Sequence, residues 1–256
     1  TINMQTAIAV SCDTIWYQIA YDQWVKDGGL RPKSDLHDYF FNAARSFGIG
    51  KKTGVDLPDE ASGRLPDRDW KNNFYKQNKD FYCNFVNRAK KSDLTPYLIA
   101  IAKENCTDGY IIRAGDAVNF SIGQGDTLIT PIQMAVAYAA IANGGTLWRP
   151  WIARAIVNPN GKILKEFSSQ EIGKTEQTKA DTEFLHRALR SVATNGTAAP
   201  VFSNFPVQVA GKTGTAQDLG RNKNGSAKDD TSWFASFAPA DSPQYAVVMV
   251  VSQGGF

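Results

Sequence analysis

Val207-Gln208-Val209-Ala210-Gly211-Lys212-Thr213-Gly214-Thr215-Ala216-Gln217 reads as a β-strand, and it decides the fold class. A polar linker, Asp218 to Asp230, follows it. Two further strand-like runs come next, Ser232 to Ala238 and Tyr245 to Ser252, so the C-terminal part reads as a meander of strands. Upstream lies a helix over Thr178 to Ala193, with Phe184, Leu185, Ala188, Leu189 and Val192 on one side. Before it, a strand near Trp151 to Val157 turns at Asn158-Pro159-Asn160-Gly161 into Lys162 to Phe167. The expected fold class is therefore α+β, an antiparallel sheet with helices packed on it.

The strongest helix start in the chain is Thr130-Pro131-Ile132-Gln133. Thr130 caps, Pro131 takes the first helical position, and Gln133 bonds back in a capping box. The segment up to Asn143 is small and almost wholly apolar, so it is expected to be a buried central helix, ended by Gly144-Gly145. Asp13 to Lys26 is a further helix, with Ile15, Ile19, Ala20 and Trp24 as its stripe. Ser34 is expected to cap another, with Leu36, Phe40, Ala43, Ala44 and Phe47 facing inward. Residues 48 to 63 read as a loop.

Residues 71–115 form a distinct block, expected to be a helical insertion within a single domain spanning 1–256. Phe81, Phe85 and Ala89 suit one short helix, and Thr95-Pro96 opens another through Lys103. Cys83 and Cys106 flank this pair. In an oxidising compartment they could form a disulfide worth about 3 kcal/mol of loop entropy; the plainer reading is two half-buried thiols.

Composition narrows the class. The 256 residues are 43% apolar and 21% charged, a globular balance that sets aside disorder, collagen and coiled coil. The net charge of +3, without a run of five basic residues, gives no case for nucleic acid. The most apolar stretch, Ile132 to Ala142, is too short to cross a bilayer, and Thr1 opens no export signal. Three cysteines without a CxxC pair, and two widely separated histidines, offer no zinc-ligand spacing, so no metal and no cofactor are expected.

Two short elements could carry chemistry. In Lys212-Thr213-Gly214-Thr215, a lysine inside an apolar strand is costly unless it meets a partner or ligand. Gly214 permits close approach, and Thr213 and Thr215 share a face, so the set suits a carboxylate. The plainer reading is an edge-strand lysine with its head in water. Ser11-Cys12-Asp13, just before a helix, could be a cap and a first-turn acid. Taken together, S-x-D followed far downstream by K-T-G is the order found in serine enzymes that bind penicillin.

Longer stretches sharpen that likeness. Ser11-Cys12-Asp13-Thr14, Gly54-Val55-Asp56-Leu57-Pro58, Ser62-Gly63-Arg64-Leu65-Pro66-Asp67, Ile122-Gly123-Gln124-Gly125, Thr130-Pro131-Ile132-Gln133 and Ala210-Gly211-Lys212-Thr213-Gly214-Thr215-Ala216-Gln217 resemble class B penicillin-binding proteins, and in the same order. The SCD and SGRLPD segments favour the elongation transpeptidases within that family. The resemblance implies a penicillin-binding, β-lactamase-like transpeptidase fold and D,D-transpeptidation of peptidoglycan. It implies that Ser11 relays a proton at the leaving nitrogen, Asp13 holds the hydrogen-bond network, and Lys212 tunes Ser11 and attracts the substrate carboxylate. Thr213 and Thr215 would bind that carboxylate, the Thr215 N–H would supply half of an oxyanion hole, and Ala216 and Gln217 would pair with the extended peptide. The implied partners are the D-Ala-D-Ala end of a stem peptide, β-lactam antibiotics and membrane wall-synthesis proteins. The implied location is the extracytoplasmic face of a bacterial membrane, with an anchor outside these residues.

One part of the family pattern is missing. None of the fifteen serines has a lysine three positions on, so the S-x-x-K motif bearing the nucleophile is absent. The resemblance places that motif before Thr1, as a missing segment of the same parent protein, and a terminal helix after Phe256. The chain thus reads as a transpeptidase-domain fragment incomplete at both ends and unable to be acylated alone. Two other readings stand beside it: a non-catalytic penicillin-fold scaffold in a wall-synthesis complex, and a β-lactamase-like or sensor-like serine acyl enzyme.

Overall fold

A computed structural model describes residues 2–90, 94–218, 220–222 and 225–255. Parts of the expected linker at 218–230, of the 71–115 block and the chain ends Thr1 and Phe256 lie outside the described residues. The helices are α1 (Met4–Ala9), α2 (Asp13–Lys26), α3 (Tyr39–Ser46), α4 (Arg68–Cys83), α5 (Phe85–Arg88), α6 (Pro96–Asp108), α7 (Ala114–Ser121), α8 (Pro131–Asn143), α9 (Lys179–Asn195) and α10 (Ala199–Phe202). The strands are β1 (Thr146–Trp148), β2 (Ala155–Val157), β3 (Ile163–Glu166), β4 (Glu171–Lys174), β5 (Ala210–Ala216), β6 (Thr231–Ala238) and β7 (Tyr245–Val251). They fall into two compact units. One comprises Thr1–Ile15, Tyr39–Arg64 and Thr127–Phe256; the other comprises Trp16–Asp38 and Leu65–Asp126.

The first unit holds the meander. Strands β5, β6 and β7 are antiparallel in that order, with Lys212 opposite Ala235 and Ala235 opposite Val248. Side chains alternate across the sheet, so Ala210, Lys212, Ala235 and Phe237 share one face. That face is the core: Ala210 and Phe237 are fully buried and cluster with Leu189 of α9 and with Ala240. Helix α9 is capped by Thr178, whose side chain accepts from the Asp181 N–H. Both β5 and α1 pack on α9, which makes that helix the shared platform for two segments distant in sequence.

Helix α8 is the buried central helix that its pattern demands. The Thr130 side chain accepts from the Gln133 N–H, and the Gln133 side chain accepts from the Thr130 N–H at 2.9 Å. Gln133 is only 1% exposed, and its Nε2 donates to the carbonyls of Lys51 and Ser62, each at 2.7 Å. One amide therefore closes a helix end and ties down the loop between residues 48 and 63. Gly144, in the left-handed region at φ 83°, ends the helix. Glu60 braces the same loop, accepting from the Thr53 N–H, the Thr53 hydroxyl and the Gly54 N–H at 2.6–2.9 Å. Burial raises its pKa, but these hydrogen bonds outweigh burial and hold the carboxyl below its usual value.

Several local expectations are corrected. Ser34 lies in a turn and caps no helix; α3 starts at Tyr39. The charged residue just before it, Asp38, is held by Arg68 Nε at 3.0 and 3.1 Å. The strand near Trp151 shortens to Ala155–Val157 because the Ile152 and Ala153 N–H groups donate to the Asp56 carboxylate instead of a ladder. Strands β1 and β4 carry too few alternating apolar residues to stand out in the sequence.

The second unit is helical. The single helix expected through Phe81, Phe85 and Ala89 is broken at Asn84, whose amide donates to the Asp80 carbonyl and carboxylate at 3.1 and 2.8 Å. Helix α6 runs on to Asp108, beyond the expected end at Lys103. Cys83 and Cys106 are bonded, with Cα atoms 4.7 Å apart, so the bridge joins the end of α4 to α6. Lys71 pairs with Asp116 at 3.1 Å, and Trp24 Nε1 donates to the Ile112 carbonyl at 2.9 Å.

Candidate active site

The residues at the end of α1 make a sharp turn before α2. Ser11 sits in the left-handed region at φ 55°, a conformation that costs a non-glycine residue about 1 kcal/mol. The turn is held by the Cys12 N–H donating to the Ala7 carbonyl at 2.9 Å. Beneath it Ala7 and Ala9 are buried.

Lys212 projects from the core face of β5 toward this turn. Its Nζ donates to Ser11 Oγ at 2.9 Å and to the Thr213 carbonyl at 2.9 Å. Burial pushes the lysine pKa down from its ordinary value, and the Asp13 carboxylate pushes it back up. Ser11, Asp13 and Lys212 are thus one electrostatic group. Lys212 does stand on an edge strand, but the expectation of an ammonium free in water is corrected: the ammonium is partly buried and bonded to a hydroxyl from the other end of the chain. So is the capping reading of Ser11, whose hydroxyl is engaged by the lysine while α2 begins two residues later.

Thr213 and Thr215 lie on the opposite face of β5 from Lys212 by strand alternation. Thr213 Oγ1 is 2.7 Å from Thr197 Oγ1, just beyond α9. Gly214 is exposed, and Gln217 is exposed just past the strand end. Strand β5 is an edge strand of its sheet, so one side of its backbone faces away from β6. Thr197 was not legible in advance: a Gly-Thr pair after a helix is an ordinary stop, and nothing local says what the hydroxyl meets.

A separate cleft of about 630 Å³ lies elsewhere in the first unit, between Arg45, Lys51, Lys52, Arg149 and Lys174, with Glu176 as its one acid. It contains none of Ser11, Asp13 or Lys212.

Residues 1–255 match the model of the penicillin binding protein transpeptidase domain. The chain belongs to that family. Among relatives of this transpeptidase domain, the peptidoglycan D,D-transpeptidase MrdA of Haemophilus influenzae is 27% identical over 99% of the chain and 33% of its own length. MrdA of Acinetobacter baumannii is 29% identical over 99% of the chain and 32% of its own length. The transpeptidase domain described here therefore spans about a third of the length of these relatives. In structure it is similar to Pseudomonas aeruginosa PBP2, solved with WCK 5153, at a TM-score of 0.65 and 27% identity, covering 99% of this chain and 43% of that one. The Helicobacter pylori PBP2 solved with MreC shares the fold at a TM-score of 0.66 and 24% identity, covering 99% of this chain and 36% of that one.

Proposed function

We propose that this chain supplies the S-x-D and K-T-G parts of the active site of a peptidoglycan D,D-transpeptidase of the elongation type. The observation that carries the reading is the 2.9 Å hydrogen bond from Lys212 Nζ to Ser11 Oγ. With its lone pair engaged by the ammonium, the Ser11 hydroxyl is free to aim its own proton at a leaving nitrogen. Asp13 offsets part of the burial cost of the ammonium, the larger effect being burial, which lowers its pKa. Thr213 and Thr215 present hydroxyls to the terminal carboxylate, and the Thr215 N–H serves an oxyanion. Gly214, Ala216 and Gln217 line the edge along which an extended peptide pairs.

In this reaction a serine attacks the penultimate D-Ala carbonyl, and the bond to terminal D-Ala breaks. The departing amine takes the proton relayed by Ser11. An amine of a neighbouring stem then attacks the acyl-enzyme, gives up its proton, and restores the serine. The attacking serine is proposed to lie outside these 256 residues, since none of their serines stands in an S-x-x-K motif. β-Lactams are proposed to enter the same site as mimics of D-Ala-D-Ala.

The location proposed is the extracytoplasmic face of a bacterial membrane, with an anchor elsewhere in the parent protein. The Cys83–Cys106 bond suits an oxidising compartment. No helix among the described residues is long and apolar enough to cross a membrane. The reported PBP2–MreC complex and a peptidoglycan synthase complex similar in fold support wall-synthesis partners. The helical block 71–115 is read as an insertion that elaborates the domain.

The absence of S-x-x-K favours a second reading, a non-catalytic scaffold. Labelling of the full-length parent protein with a fluorescent penicillin separates the two. A covalent band, lost in Lys212→Ala, is the expected result; an intact parent that never labels supports the scaffold. Mass spectrometry of the 256-residue chain alone is expected to show no adduct.

A further inference from the structure

We infer that Thr197 is a positioning residue that aims the Thr213 hydroxyl at the substrate carboxylate. The inference rests on the reading of Thr213 given under Proposed function, and assigns a role to a residue outside the S-x-D and K-T-G motifs.

The two hydroxyl oxygens are 2.7 Å apart, so one donates to the other. Each threonine hydroxyl has a single proton. A bound carboxylate has only acceptor atoms, so Thr213 must spend its proton on the carboxylate. The contact with Thr197 then survives only if Thr197 is the donor. Thr197 thereby fixes the direction of the Thr213 proton and polarises it as a donor.

Thr197 is itself well anchored. Its N–H donates to the Ala9 carbonyl at 3.0 Å, at the end of α1 and two residues before Ser11. The preceding Gly196 leaves no room for a side chain: a Cβ there would lie 2.1 Å from the Ala9 oxygen and 2.8 Å from Val192 Cα. The next residue, Ala198, donates its N–H to the Val192 carbonyl at 3.0 Å and is buried. The turn after α9 thus holds the Ser11 turn through its backbone and β5 through its one hydroxyl. A thermally mobile threonine could not fix a proton direction; this one is held on both sides.

The test compares acylation rate constants of the full-length parent protein with benzylpenicillin and with its methyl ester, which lacks the anion. For the acid, T197V is expected to react roughly tenfold more slowly, and T197S within about twofold of wild type. For the ester, T197V and wild type are expected to react within about twofold of each other. T213V and the T197V/T213V double variant are expected to lose the same amount, because the two hydroxyls act as one unit. Equal losses for acid and ester would reduce Thr197 to a packing role and overturn the inference, as would a T197V protein that reacts with the acid at the wild-type rate. A wild-type parent inert to both compounds would instead overturn the proposed function, and this inference with it.

Discussion

Lys212 and Ser11 are separated by 201 positions in sequence and by 2.9 Å in space. The two are brought together by α9, on which α1 and β5 both pack, so the electrostatic group belongs to the tertiary core and not to either motif. From that geometry follow consequences for protonation, and from the surrounding fold follow consequences for stability.

Lys212 is poised by two opposed effects, burial that lowers its pKa and Asp13 that raises it. If the ammonium is the active form, acylation of the parent protein by penicillin falls as pH rises through the folded pKa, below the ordinary 10.5. Asp13→Asn removes the raising effect, so the alkaline limb is expected to move to lower pH. A rate profile from about pH 7 to about pH 11 reads this directly; coincident limbs for the two proteins would sever the link between Asp13 and Lys212. Folding linkage has a definite sign here. The cost of burying the charged lysine is fully present below its folded pKa and fades as pH rises toward 10.5.

Gln133→Leu keeps the volume of the buried side chain but removes its amide. The carbonyls of Lys51 and Ser62 each lose a 2.7 Å donor, and the Thr130 N–H loses its acceptor. The expected loss of stability is about 2–4 kcal/mol, visible as a lower urea midpoint. A midpoint within error of wild type would show that water replaces the amide freely.

Glu60 is expected to make the same loop acid-sensitive. Its pKa is depressed, so its stabilising contribution is present above the ordinary value of 4.5 and is lost as pH falls through the folded value. Glu60→Gln is expected to lower stability at pH 7 by about 1–3 kcal/mol and to flatten the acid limb of the stability curve. Chemical denaturation at several pH values, with a wild-type limb retained in the variant, would count against this account.

The bond between Cys83 and Cys106 leaves Cys12 as the free cysteine. A thiol assay on the unreduced, denatured protein is expected to find one reactive group, and three after reduction. Closing a loop of this separation contributes about 3 kcal/mol, so the helical unit is expected to melt earlier under reducing conditions. Three thiols before reduction would remove the bridge.

Local chemistry was enough for much of the chain. The Thr130 capping box, Pro131 and Gly144 define α8 because each satisfies or terminates the helix within a few residues, and the meander reads directly from its apolar runs. The motifs around Ser11 and Lys212, taken in order, point to one family. What the sequence could not decide is every feature set by a distant partner. The strand near Trp151 ends early because Asp56 takes its N–H groups, and the fate of Lys212 turns on Ser11. Thr197 gains a role only because a glycine lets its turn press against Ala9. Periodicity and capping act over about one turn or one strand; hydrogen bonds and desolvation act across whatever surfaces the core brings together, and only the folded chain specifies those.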